Sequence, residues 1–157
     1  MKKIFLDLDG TLARFNVENA LARFAVEKYF FKNLLPYENI NVINRMARNG
    51  NVYILSASPN IQADYDKIEW VNKYLPNISQ NHIIICRCGD NKASELRKIG
   101  LHIDENCILL DDYTKNLNEW ELAGGVGIKR LTKEADNSTK KWKGLCISDL
   151  CELDQLV

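Results

Sequence analysis

The sequence predicts an α/β protein: a three-layer, doubly wound parallel sheet of about five strands, with a small helical cap insertion. Two observations carry that expectation. Short apolar runs recur along the chain, and each ends at a polar or thiol residue: Ile4-Phe5-Leu6 at Asp7, Val52-Tyr53-Ile54-Leu55 at Ser56, Ile83-Ile84-Ile85 at Cys86, Ile108-Leu109-Leu110 at Asp111 and Val126-Gly127-Ile128 at Lys129. Continuous rather than alternating apolar runs mark strands buried on both faces. Between the runs lie stretches with helical spacing. Strands alternating with helices imply right-handed crossovers, and in such a sheet ligands bind outside the carboxyl ends of the strands. The residues that end the runs therefore converge.

In chain order, the first strand is followed by Val17, Ala20, Leu21, Phe24 and Ala25, which keep one helical face. Helices are expected over roughly 17–31 and 38–49, within an insertion at 13–50, the whole chain 1–157 forming one domain. After the second strand, Ile61, Tyr65, Ile68, Val71 and Leu75 share a face; after the fourth, Leu117, Trp120 and Gly124 do. The stretch from Lys133 to Lys143 is polar and turn-rich and reads as a surface loop. The tail from Leu145 to Val157 adds a short strand and a helix.

Composition bounds the function classes. The chain has 157 residues, with 21 Lys and Arg against 21 Asp and Glu. At this length about 70% of the unfolded surface is buried on folding, enough for a core without metal or disulfide staples. Zero formal net charge excludes a global basic field for nucleic acid or an anionic membrane, so an anionic ligand must be held locally. No stretch approaches the roughly 20 apolar residues of a membrane span, and the run after Met1-Lys2-Lys3 is too brief for a signal peptide. Five cysteines, an odd number, fit free thiols in a reducing compartment, and the expected location is the cytoplasm.

The chemistry begins at Asp7-Leu8-Asp9-Gly10-Thr11, directly after the first strand. Such a string arises by chance in a chain this long on the order of once in a thousand. A carboxylate at Asp7 can attack phosphorus and form an aspartyl-phosphate, while Asp9 can protonate the leaving oxygen and then activate water. Adjacent carboxylates resist joint ionisation, which suits Asp9 as the acid, and a cation relieves the rest. At the end of the second strand, the Ser56 hydroxyl and the backbone N–H groups from Ala57 onward form a cradle for phosphoryl oxygens, with simple helix capping as the competing reading. Lys92, in Gly89-Asp90-Asn91-Lys92, can neutralise charge on nucleophile and phosphoryl group. Asp111-Asp112 is a second carboxylate pair. Asp7, Asp111 and the main-chain carbonyl of Asp9 offer the oxygens that Mg²⁺ prefers, with Asp112 either assisting or capping the next helix.

In that order, Asp7-Leu8-Asp9-Gly10-Thr11, Ser56, Lys92 and Asp111-Asp112 resemble the four-motif signature of the haloacid dehalogenase (HAD) superfamily of phosphatases, whose core is Rossmann-like. More narrowly, Leu110-Asp111-Asp112-Tyr113 with Asn116, Leu117 and Trp120, and Leu55-Ser56-Ala57-Ser58-Pro59, resemble the cytosolic type C 5′(3′)-deoxyribonucleotidases and their bacterial and phage relatives. The resemblance implies a Mg²⁺-dependent phosphomonoesterase with Asp7 as nucleophile, Asp9 as general acid and base, Ser56 and Lys92 on the phosphoryl group and Asp111 on the metal. Its substrate would be a small phosphate ester, a (deoxy)nucleoside monophosphate foremost. The interval between Asp9 and Ser56 is shorter than in the vertebrate nucleotidases, so the cap should be small, and a partner subunit could complete it. Phe15 or Phe30 could stack on a nucleobase, with packing between cap and core as the competing reading.

Other readings stay open or fall. A sugar phosphate or a polynucleotide end would keep the chemistry and change the substrate, and a catalytically idle phosphate-binding regulator would keep only the binding. Cys86-x-Cys88 is too tight for usual zinc spacing and lacks a second pair. There is no G-x-S-x-G elbow around Ser56 or Ser58 and no P-loop. The run Lys140-Lys141-Trp142-Lys143 reads as a solvated loop beside Glu134 and Asp136.

Overall fold

A computed structural model of the chain describes residues 1–134 and 142–157, with side-chain surroundings for all of these but 17–19 and 21. The five apolar runs form β1 (Lys3–Leu6), β2 (Val52–Ser58), β3 (Ile83–Arg87), β4 (Cys107–Asp111) and β5 (Val126–Arg130). The tail supplies β6 (Leu145–Ile147), which makes the sheet one strand wider than the five expected. All neighbours are parallel, in the order β3-β2-β1-β4-β5-β6. The chain winds outward one way from β1 to β3 and the other way from β4 to β6. The order therefore reverses between β1 and β4, where a crevice opens at the strands' carboxyl ends. Leu6 pairs with Leu110, so Asp7 and Asp111 leave the sheet side by side.

Burial on both faces explains the continuous apolar runs. Ile4 and Leu6 join one core cluster with Ile54, Trp70 and Leu110, while Phe5, between them, joins a second with Leu55, Leu109, Leu117 and Trp120. Phe5 stacks on Tyr53 at 4.9 Å between centroids and meets Trp120 at 5.1 Å, geometries that suit aromatic quadrupoles.

The described residues form six helices; the one that opens at Lys92 was not expected, and two of the others call for revision. The six are α1 (Val17–Phe24), α2 (Ile40–Met46, continued by a 3₁₀ turn over Ala47–Asn49), α3 (Ile61–Tyr74), α4 (Lys92–Lys98), α5 (Thr114–Leu122) and α6 (Leu150–Leu156). The expected helix over 17–31 stops at Phe24. Beyond it the chain turns, with Tyr29 at φ 61°, so that Phe30 and Phe31 fold into the core at 3% and 6% exposure. The second revision concerns α3. Asn60 caps it by accepting from the Ala63 N–H at 2.9 Å, but the buried face is Ala63, Asp66, Lys67, Trp70 and Val71, and Ile61 and Tyr65 stand exposed. The apolar spacing of Ile61 and Tyr65 gave way because this helix turns a charged residue inward.

Between β1 and α1, Ala13 bridges both Asp9 and Pro36, which ties the chain beyond α1 back to the Asp9 turn. Most of the expected loop between Lys133 and Lys143, including Lys140 and Lys141, lies outside the described residues. All five cysteines are free thiols. Among the described residues no helix is long and apolar enough to cross a membrane.

Candidate active site

The turn after β1 is built on one carbonyl. Leu8 O accepts from the N–H groups of Thr11, Leu12 and Ala13 at 3.1, 2.9 and 2.8 Å, a helical turn that swings the chain off the sheet and leaves Asp7 and Asp9 at its mouth. Gly10 sits at φ 80°, and a Cβ there would fall on the Asp112 carboxylate. Both the left-handed backbone and the close approach require glycine. Thr11, fully buried, braces the turn to the second carboxylate pair: its hydroxyl accepts from the Asp112 N–H at 3.1 Å and reaches Asp7 Oδ2 at 3.5 Å. Behind it, Arg130 at the end of β5 donates to Thr11 O at 3.3 Å.

Lys92 enters from the first turn of α4 and closes the crevice. Its ammonium, 3% exposed, donates to Asp7 Oδ1 at 2.7 Å and to Asp111 Oδ2 at 2.6 Å. Burial alone would depress this lysine, but the carboxylates of Asp111 and Asp7 outweigh it and hold the group above the ordinary lysine value. Asp111 is further fixed by the Tyr113 N–H at 2.8 Å and by Asn116 Nδ2 at 2.9 Å. Asp7, Asp111 and Asp112 each offer an oxygen within 4.8 Å of the others. Burial raises Asp111 despite Lys92, and burial together with Asp111 and Asp7 pushes Asp112 well above the usual carboxylate range. Three crowded carboxylates, two buried and one half-buried, with only oxygen donors fit a hard divalent cation such as Mg²⁺.

Ser56 and Asp9 meet on a residue that the sequence reading missed. Lys67, pointing inward from α3 and 1% exposed, donates to Asp9 Oδ2 at 2.5 Å, to Ala57 O at 2.6 Å and to Ser56 Oγ at 3.0 Å. Burial, aided by Asp7, raises the Asp9 carboxyl even though Lys67 opposes it. The available signal was the spacing Ala63-Lys67-Trp70, which puts the lysine on the helix stripe that the indole occupies.

The aromatic candidates part company. Phe15 is half-buried and lines a cleft of about 190 Å³ together with Arg14, Arg23 and Leu34. Phe30 also borders it but is 3% exposed, its ring packed 6.3 Å from Phe15, 6.1 Å from Phe24 and 5.0 Å from Phe31. Of the two readings for Phe30, packing is the one the structure bears, because a ring enclosed by three others has no free face for a base.

The raised carboxyls have a consequence for stability. A group that binds its proton more tightly when folded contributes fully below its unfolded value, here 3.8, and loses that contribution as pH rises through the folded value. In EDTA the protein is therefore expected to resist urea better at about pH 5 than at about pH 7. Surface carboxylates held low, such as Asp64 beside Arg87, act only below their ordinary value. Equal or greater stability at the higher pH would contradict the crowding.

The doubly wound sheet and the four clustered motif positions define a HAD-type phosphatase. The family model for "5′ nucleotidase, deoxy (pyrimidine), cytosolic type C protein" matches residues 8–133, and the chain belongs to that family. No curated protein sequence matches significantly. Among solved structures, the chain is similar to the D,D-heptose 1,7-bisphosphate phosphatase from B. bronchiseptica, complexed with magnesium and phosphate (14% identity, 99% of this chain and 98% of that one, TM-score 0.69). It is also similar to a haloacid dehalogenase-like hydrolase from Streptococcus pneumoniae (13%, 99% and 98%, TM-score 0.69) and a HAD-superfamily hydrolase from Ehrlichia chaffeensis (12%, 99% and 97%, TM-score 0.64). At these identities the likeness establishes the fold.

Proposed function

We propose that this chain is a Mg²⁺-dependent phosphomonoesterase that works through an aspartyl-phosphate on Asp7, with (deoxy)nucleoside 5′-monophosphates as substrates. The observation that carries the reading is the pairing of Asp7 with a buried lysine at 2.7 Å beside a second carboxylate pair. Lys92 donates to one Asp7 oxygen and orients it, leaving the other to attack phosphorus in line with the leaving group. Ser56 and the backbone beyond it receive phosphoryl oxygens. Asp9, its carboxyl raised by burial, protonates the departing oxygen and then takes a proton from the water that attacks the aspartyl-phosphate. Asp7, Asp111 and the Asp9 carbonyl would hold Mg²⁺, with Asp112 adjoining, and the ion would neutralise charge on the phosphoryl group. The segment 13–50 acts as the small cap, and Phe15 at the cleft offers a ring for the base; family membership supports the nucleotide as substrate.

Phosphate release from ribo- and deoxynucleoside monophosphates, beside sugar phosphates, with Mg²⁺ and with EDTA, tests this reading. Metal-dependent release concentrated on nucleotides is expected. Release from sugar phosphates alone would discard the substrate, and no release from any ester would discard the activity. Asp9→Asn should lower kcat/KM, which reports phosphoryl transfer and not the hydrolysis common to all esters, by about 10²–10⁴-fold for poor leaving groups and far less for good ones, since an acid matters where the leaving oxygen needs its proton. Equal losses across the series would assign Asp9 another task.

A further inference from the structure

The mechanism gives work to Asp7, Asp9, Ser56 and Lys92; of the buried cations it does not use, Lys67 is the one that donates to both Asp9 and Ser56. Lys67 is 1% exposed on a helix face shared with Ala63 and Trp70, where an apolar side chain would pack as well. Burying an ammonium is unfavourable unless it is paired and hydrogen-bonded. Here it is both. A lysine has three N–H donors and no acceptor, and Asp9 Oδ2, Ala57 O and Ser56 Oγ take all three. The Phe31 ring lies 4.7 Å from Nζ, and the segment carrying it is fastened to α3: Trp70 Nε1 donates to Leu34 O at 2.8 Å and Lys32 pairs with Glu69.

The two lysines of the site differ in what they leave over. Among the described residues, Lys92 donates to two carboxylates, so a third N–H remains for a phosphoryl oxygen. Lys67 has none to give. Its donation also decides Ser56: an Oγ that accepts from Lys67 must turn its own proton away from Nζ.

We infer that Lys67 is a positioning residue for the reaction proposed above: it holds the Asp9 carboxylate in place for proton transfer to the leaving oxygen. The inference rests on that proposed function, and it makes Lys67 neither a phosphoryl ligand nor a mere strut of the fold.

The test is Lys67→Met in the full chain, with Lys67→Gln in its place should the first not fold, and thermal melting to report folding. The readouts are kcat and kcat/KM for para-nitrophenyl phosphate and phenyl phosphate with Mg²⁺, and the affinity for inorganic phosphate; kcat/KM reports phosphoryl transfer to Asp7 and not the later hydrolysis that both esters share. A misplaced acid should lower kcat/KM for phenyl phosphate by about 10²-fold, because small displacements of a catalytic group cost that much. Para-nitrophenyl phosphate, whose leaving group needs little protonation, and phosphate affinity should change little. Equal losses on both esters would overturn the inference in favour of a structural role, and weakened phosphate binding with kcat intact would overturn it in favour of a ligand. If the wild type turns over neither these esters nor nucleoside monophosphates, the proposed function fails by itself. Crystal structures of wild type and variant then decide Lys67: a displaced Asp9 carboxylate supports the inference, an unmoved one overturns it.

Discussion

Replacing Asp7 by asparagine is expected to cut turnover by at least about 10⁴-fold, the scale seen when an enzyme loses its nucleophile. The substitution keeps the shape of the side chain, so Lys92 retains a partner oxygen and the Thr11 hydroxyl can accept from the amide nitrogen, while the attacking oxygen anion is gone. Asp7 also raises the pKa of both Asp111 and Asp112 by its charge, so its removal relieves crowding. The variant should therefore melt no lower than the wild type in EDTA. Phosphate release and thermal melting together check this, and substantial turnover by a folded variant would remove Asp7 from the chemistry.

The second large effect belongs to Lys92. Lys92→Met leaves Asp7, Asp111 and Asp112 crowded at the carboxyl ends of β1 and β4 without the cation that donates to two of them. Removing one partner of a buried ion pair typically costs about 3–5 kcal/mol, because the other charge stays buried and uncompensated. The loss should appear at neutral pH in EDTA and shrink as pH falls toward the ordinary carboxylate value, since protonation relieves the same repulsion. Mg²⁺ should also recover part of it, because a ligand that binds only the folded state stabilises that state. Urea titrations at two pH values, each with and without Mg²⁺, measure all three effects. A variant as stable as the wild type at neutral pH in EDTA would show that Lys92 is not what holds the carboxylates together.

Much of this architecture was legible because the strands are buried on both faces. The runs ending at Asp7 and Asp111 could be read as strand ends, whereas β2 continues past Ser56 to Ser58, and the reversal of strand order places the carboxyl ends around one crevice. The sixth strand was foreshadowed in the tail, but its three residues, Leu145–Ile147, are too short to stand out as a continuous apolar run. Lys67 escaped because periodicity rewards apolar residues: Ile61 and Tyr65 suggested a face that proved exposed, while the helix turns a cation inward to reach Asp9 and Ser56. Arg130 escaped for the same reason, its guanidinium being held by main-chain carbonyls, among them Thr11 O, that no motif announces. The fate of Phe30 depended on where α1 ends, and a helix boundary is the least legible part of a sequence.

The central claim is that Asp7 carries the phosphoryl group during turnover. Rapid acid quench of the wild-type protein with a nucleoside monophosphate and Mg²⁺, followed by peptide mass mapping, tests it most directly. One added phosphoryl group is expected on the peptide containing Asp7, formed at least as fast as phosphate is released and absent from Asp7→Asn. Full turnover with no phosphorylated peptide, or with the phosphoryl group on another residue, would contradict it.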